Sequence, residues 1–339
     1  MLFTVAALLV LVAAGLLISS FLYVQHIDED IALPPTVVEE LEPVLVVPEQ
    51  PDQAYYVLVI GTDYREDPLY LEQGGSIRSD TIMLARIDPE VPQVTVLSIP
   101  RDTEYDFPDH GIDKINYAFA SGGPAGVVAA VSDLCGVDIA HYVELDFQGV
   151  VQMVDLVGGV TVDVPVDLEL DGVFIPRGVQ TLDGSQALIM SRCRTFPNDF
   201  VALPDLQRVQ NQRLLVQAVA SKVLAADIGA MPGLISELAK CVSTDLSATD
   251  VMDLALKMRG MDAANMYLDT IPVYANSREI DGVYNSLLSI DQPAFAEMME
   301  RVDSGLSPRA AEGETTAEAA TAAEPVAETT AEAEVGEAQ

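Results

Sequence analysis

Tyr55-Tyr56-Val57-Leu58-Val59-Ile60, followed at once by Gly61-Thr62-Asp63-Tyr64-Arg65, is the stretch on which the fold turns. Six uncharged residues, mostly β-branched or aromatic, suit a strand buried on both faces. A carboxylate directly after such a strand stands at its C-terminal end, where α/β sheets open their clefts. Working outward, residues 81–87 and 93–99 are runs of the same kind, residues 142–145 make a fourth, and a late strand is expected over 267–273. Helical stretches intervene at 115–132, 147–157, 182–191, 206–224, 234–241 and 248–258, and a final one at 292–302. This alternation predicts a layered α/β domain with a central mixed β-sheet flanked by helices. No internal repeat is visible.

The ends of the chain read differently. Residues 1–24 carry no charged side chain and are long enough to cross a hydrocarbon core of about 30 Å, so they predict a transmembrane helix. A cleaved signal peptide is the rival reading, but its basic start and short apolar stretch are missing. The acidic stretch His26-Ile27-Asp28-Glu29-Asp30, and the large domain that has to sit on one side of the bilayer, place the rest of the chain outside the cytoplasm. Residues 25–54, punctuated by Pro34, Pro35, Pro43, Pro48 and Pro51, are expected as an extended acidic linker that lifts a domain off the bilayer. The expected core runs over 55–225, with a helical extension containing the late strand over 226–302. Beyond it, residues 303–339 become almost wholly Ala, Glu and Thr and predict a disordered tail.

Charge narrows the function. With 17 basic residues against 53 acidic ones and a formal charge of −36, the chain lacks the cationic surplus that a nucleic-acid binder needs. Its few arginines are nevertheless concentrated: Arg78, Arg101, Arg192, Arg194, Arg208 and Arg213 sit in short Asp- and Gly-bearing segments. Guanidinium forks suit phosphate or carboxylate, so the pattern points to a local anion site. Three cysteines, Cys135, Cys193 and Cys241, lack Cys-x-x-Cys spacing and signal neither zinc nor a disulfide framework.

The segment after Pro204 gives the sharpest geometry. Asp205, Arg208 and Gln212, spaced by three and four, share one helix face, and the same stripe continues as Val216, Val219 and Val223, expected to be buried. Charged groups on an inward face need partners, which a bound anion or a purely structural ion pair could supply. Arg192 and Arg194 cannot share a helix face, so a chain leaving its helix there could aim both at one ligand. His26, His110 and His141 all lie outside these segments, which argues against a histidine base.

Taken in order, Gly61-Thr62-Asp63, Arg78-Ser79-Asp80-Thr81, Ile99-Pro100-Arg101-Asp102, Lys114-Ile115-Asn116-Tyr117-Ala118 with Gly122-Gly123, Val157-Gly158-Gly159-Val160, Leu182-Asp183-Gly184-Ser185-Gln186-Ala187-Leu188, and Arg192-x-Arg194 before Asp205-x-x-Arg208-x-x-x-Gln212 resemble the LytR-CpsA-Psr proteins of bacterial envelopes. The resemblance spans roughly residues 55–225. It implies a membrane-anchored transferase that moves a glycopolymer from a polyprenyl pyrophosphate carrier to peptidoglycan with Mg2+, holding the lipid tail in an apolar tunnel. It further implies that Arg78, Arg101, Arg192, Arg194, Arg208 and Gln212 hold the pyrophosphate, and that Asp63 and Asp80 lie by the metal. Asp80 or Asp205 is the expected proton acceptor, and Arg101 a catalytic cation. Alternatives are a pyrophosphatase acting on the same carrier and a non-catalytic binder of lipid-linked glycan. Two departures stand out: Asn211 precedes Gln212 where many members have an arginine, and the 195–204 loop, with Asp199, is long.

Overall fold

Ahead of the first strand, Pro35–Leu41 forms helix α1, started by a proline whose missing N–H costs nothing at that position. The structure is a computed structural model of the 339-residue chain, and it describes residues 28, 31–50, 52–62, 79–225, 231–280 and 282–310. The expected membrane helix over 1–24, nearly all of the expected tail, and the site candidates Asp63 and Arg78 lie outside the described residues.

Tyr55–Thr62 is β1, Ser79–Asp88 is β2 and Gln93–Ser98 is β3, an antiparallel series. A hairpin of Glu104–Phe107 (β4) and Gly111–Lys114 (β5) leads into helix α2, Tyr117–Cys135. Ile139–Asp146 (β6) then returns beside β1 and parallel to it, a pairing that requires such a crossover. Phe147–Leu156 (α3) follows, capped by the Asp146 carboxylate, which accepts from the Gly149 N–H at 2.7 Å.

Two small hairpins come next: Val160–Val164 (β7) pairs with Gly178–Leu182 (β10), and between them Leu168–Leu170 (β8) pairs with Val173–Ile175 (β9). Helices Gly184–Arg192 (α4), Pro204–Leu224 (α5), Met231–Ala239 (α6) and Ala248–Lys257 (α7) come after them, with Ser243–Thr244 (β11) between the last two. Met266–Thr270 (β12) and the C-terminal helix α8, Gln292–Asp303, complete the unit. The central sheet has the order β11-β6-β1-β2-β3-β12, mixed in direction and flanked by helices.

β12 lies parallel to β3 as an edge of the central sheet, so the segment expected as an extension of the core is an integral layer of it. The hairpins between residues 160 and 182 went unforeseen. β7 does alternate, with Val160, Val162 and Val164 buried and Thr161 and Asp163 exposed, whereas β8 and β9, at three residues each, are too short for period-two patterning to stand out.

The sheet buries both faces. On one, Leu58, Ile60, Ile82, Leu84, Leu97 and Tyr142 pack against Val127, Val128 and Val131 of α2 and Phe295, Met298 and Val302 of α8. Each such side chain contributes about 1.5–3 kcal/mol, so this face dominates stability. α2 is the helix among the described residues long and apolar enough to cross a bilayer. It is broken at Gly122-Gly123-Pro124, where Gly123 takes φ +59°, and its apolar face fills this core.

The expected linker over 25–54 needs correction. Leu33 and Leu41 are buried in the same core, with Val37, Val44 and Leu45 packed against it, and Val46 N–H donates to the Ile139 carbonyl at 2.9 Å. The prolines there shape turns and a helix start rather than a spacer, because apolar residues at 33, 37, 41 and 44–45 recur at helical spacing. The three cysteines are free and buried.

A second core of Val154, Val160, Val162, Leu168, Leu182, Ala187, Met190 and Leu215 joins the small hairpins to α3, α4 and α5. α4 is locked at its start: Asp183 accepts from Gln186 N–H at 2.8 Å while the Gln186 amide oxygen accepts from Asp183 N–H, a capping box. Gly184 N–H donates to Asp155 at 2.8 Å, and a Cβ on Gly184 would stand 2.3 Å from the Val151 carbonyl oxygen. Gly184→Ala should therefore push α4 off α3 and lower the thermal midpoint by about 5–10 °C, from an overpacking cost of about 1–3 kcal/mol. An unchanged midpoint in a calorimetric scan would show that the two helices are not wedged there.

Candidate functional site

The first turns of α5 set the site. Arg208, 3% exposed, reaches Asp205 one turn earlier at 3.2 Å and stands 3.8 Å from Asp80, which opens β2. Arg101, on the loop after β3, donates to Asp80 through Nη1, and its Nε lies 3.6 Å from Asp205. Arg194 closes on the same Asp205 oxygen at 3.1 Å. Three guanidinium groups from three separate segments thus surround one carboxylate.

Arg192 is the last residue of α4, and Cys193 after it turns extended, its thiol donating to the Thr195 and Glu169 carbonyls. That bend sends Arg192 over the Phe147 ring, 4.6 Å from its centroid, and Arg194 toward Asp205. Arg78 and Asp63 fall outside the described residues, so of the sequence-nominated groups the structure brings together Asp80, Arg101, Arg192, Arg194, Asp205, Arg208 and Gln212.

Four arginines and Lys114 against Asp80, Asp102 and Asp205 leave this cluster cationic on an anionic protein. Burial lowers the Arg208 pKa, and the nearby charges of Arg194 and Arg101 add to that, outweighing Asp205 and Asp80. For Arg101 burial also acts downward, but Asp80, Asp205 and Asp102 win and hold its pKa above the ordinary value. Arg208 is thus a buried cation whose charge an incoming anion would stabilise.

The cluster sits at one end of a cavity of about 740 Å3. Asp80, Arg101, Arg192, Arg194, Arg208 and Gln212 line its polar part, and Val59, Met83, Val143, Leu145, Val150, Met153, Val216, Val219 and Ala220 its apolar part. The expectation that the lower α5 stripe is buried is corrected here. Val216 is 36% exposed because it faces this open space, and Val219 is half-buried because it lines the space while packing against the second core.

The residues that hold the cluster in place were less visible in the sequence. Gln212, expected only as a phosphate ligand, donates to the Ser191 carbonyl at 3.0 Å, and Asn211 donates to that of Met190 at 3.3 Å. These are C-terminal carbonyls of α4 with no partner inside the helix, so the pair fixes the angle at which Arg192 leaves it. Asn211 is fully buried. Arg213 points away to Asp269 of β12 at 3.4 Å. Lys114 binds Asp102 at 2.8 Å, and the Ile115 and Asn116 N–H groups donate to the Thr103 and Arg101 carbonyls, fastening the Arg101 loop. Asp199 accepts from the Asp167 N–H and stands 3.6 Å from Arg177, so it ties the long loop to the β8–β9 hairpin rather than entering the site. His110 and His141 pair with Asp113 and Asp245, apart from the cluster.

Magnesium takes one or two carboxylates plus phosphate oxygens and water. Among the described residues no cluster of three or more His, Cys, Asp or Glu is arranged for a metal. Asp80 supplies one hard carboxylate on the cavity wall, its cationic contacts both falling on Oδ1, and so fits such a shared set.

A mixed α/β sheet carrying a cavity lined by both arginines and aliphatic side chains defines an anion-binding class of α/β protein, and comparison with known proteins gives the family. The chain belongs to the LytR_cpsA_psr family, which matches residues 28–304. It is 33% identical over 210 residues to the polyisoprenyl-teichoic acid–peptidoglycan teichoic acid transferase TagU of Enterococcus faecalis, covering 61% of this chain and 66% of that one. It is 30% identical over 246 residues to TagU of Oceanobacillus iheyensis, covering 70% and 72%. The chain thus spans about two thirds of the length of these relatives. Among solved structures, B. subtilis TagV shares the fold at a TM-score of 0.63 and 22% identity, over 75% of this chain and 98% of that one.

Proposed function

We propose that this protein is a membrane-anchored phosphotransferase that moves a glycopolymer from a polyprenyl pyrophosphate carrier onto peptidoglycan outside the cytoplasm. The observation that carries the reading is one cavity lined by four guanidinium groups and by aliphatic side chains, with Arg208 and Gln212 in the earlier turns of α5 and Val216 and Val219 in the later ones, a lining suited to a lipid diphosphate. The names of the transferase relatives support it.

In this reading the diphosphate lies among Arg101, Arg192, Arg194 and Arg208, and the prenyl chain runs along Val150, Met153, Val216 and Val219. An acceptor sugar hydroxyl attacks the phosphorus nearest the glycan. The new P–O bond forms as the bond to the bridging oxygen breaks, and polyprenyl phosphate leaves with its charge held by the arginines. Asp80 takes the hydroxyl proton, since it lines the cavity, whereas Asp205 is ringed by Arg101, Arg194 and Arg208 and serves to array them. Magnesium would lie by Asp63 and Asp80, as the family likeness implies, and would supply further charge neutralisation.

The test incubates the full chain in detergent with a synthetic polyprenyl-pyrophosphate glycan and peptidoglycan oligomers, followed by mass spectrometry. A phosphodiester-linked glycan–peptidoglycan product supports transfer. Free glycan phosphate alone would mean hydrolysis, and unchanged substrate would mean binding only. A chelator is expected to cut turnover at least about tenfold, with recovery on adding Mg2+; equal rates would remove the metal from the reading.

A further inference from the structure

We infer that a second cavity, on the opposite face of the central sheet, is the seat of the acceptor: a stretch of neutral N-acetylated hexosamine glycan. It measures about 820 Å3 and none of its lining residues is an arginine. The inference rests on the transferase reading and deepens it by giving the acceptor a place.

Position is the first argument. Successive residues of a strand face opposite sides, and the chain uses this at the C-terminal ends of β1 and β6. Gly61 and Leu145 line the arginine-rimmed cavity, while Thr62, Glu144 and Asp146 line the second one. Val242 lines both. The two spaces therefore open at the same end of the same strands, and a polymer seated in one needs only to round that end to present a hydroxyl in the other.

Chemistry is the second. Glu144 is held rigid, accepting from the Thr62 hydroxyl at 3.0 Å and the Tyr142 hydroxyl at 2.9 Å. Asp146 is fixed as the α3 cap. Gln148 and Gln152, one turn apart on α3, present exposed amides to the same space. Fixed carboxylates suit sugar hydroxyl donors, amides suit acetamido groups, and Phe119, Pro124 and Val37 offer apolar surface to pyranose faces. The charge pattern separates the two substrates. Glu144 and Asp146 lack guanidinium partners, and the lysine on the wall, Lys240, pairs with Glu237 at 2.9 Å, so the lining disfavours a phosphate-bearing donor and admits an uncharged glycan.

The experiment uses the full chain and the double variant Gln148→Ala/Gln152→Ala, whose exposed side chains leave the cores untouched. Binding of chitotetraose, a neutral N-acetylated hexosamine tetrasaccharide, is measured by calorimetry without carrier, and transfer kinetics to peptidoglycan oligomers are measured separately. Expected results are tetrasaccharide binding to the parent protein, weakening of about tenfold in the double variant, and an acceptor KM raised by a similar factor while the carrier KM holds. Tetrasaccharide binding that is indifferent to the double variant but lost in Arg208→Ala would place the acceptor in the arginine-rimmed cavity and overturn the inference. Transfer with an unaltered acceptor KM would also overturn it while leaving the transferase reading intact. Binding weakened by the variant in a protein that transfers nothing would sustain the glycan site and sink the transferase reading.

Discussion

Arg208→Ala is expected to lower turnover by about 10²–10³-fold while the domain stays folded, the loss typical of removing one preorganised donor to developing charge. The size follows from its setting. Arg208 is buried, faces both Asp205 and Asp80, and has a pKa lowered on balance by burial, so a bound anion would stabilise its charge directly. Removing it does not strand the carboxylates. Asp80 keeps its bond from Arg101, and Asp205 keeps Arg194 at 3.1 Å and Arg101 at 3.6 Å, so the severe cost of an unpaired buried charge is avoided. Arg208→Lys should fall between, because it restores the charge without the planar fork. Arg192→Ala should cost less, since Arg192 is 36% exposed at its side chain and stacks on Phe147. Steady-state rates with circular dichroism melts check this ranking. A folded Arg208→Ala protein with parental turnover would remove the arginine cluster from the chemistry.

How much of this was legible depended on the range of the interaction involved. β1, β2 and β3 were readable because each is a contiguous apolar run, and α5 because Asp205, Arg208 and Gln212 repeat at helical spacing. The role of Gln212 as a clasp on Ser191 was not, since it joins residues 21 apart across two helices and leaves no local pattern. The same holds for Lys114 on Asp102, whose segment carried weight only through the family likeness. α1 was misread for a different reason. Prolines at 34, 35, 43 and 48 suggested an extended chain, yet Leu33 and Leu41 find a groove beside α2 that only the tertiary fold creates. Val216 shows the converse: its place on the inward stripe was right, but what it faces is open volume rather than side chains, and no sequence pattern tells a lined cavity from a packed core.

That open volume carries the second large effect. Val150 on α3 and Val219 on α5 both line the apolar part of the cavity, and tryptophan at both positions would fill space that the prenyl chain is proposed to occupy. Each methylene denied burial forfeits about 0.8 kcal/mol, so excluding roughly four of them costs about 3 kcal/mol, or about 100-fold in kcat/KM. The penalty should depend on substrate length. Carriers of many isoprene units lose that factor, while a two-unit carrier, which reaches only the arginine end, loses little. The comparison within one variant removes any general effect of the substitutions on folding, because both carriers meet the same protein. Measuring kcat/KM for Val150→Trp/Val219→Trp across a carrier length series tests this directly. A long-to-short ratio equal to that of the parent protein would show that the lipid lies elsewhere, and would leave the aliphatic walls beside the arginine cluster without a ligand.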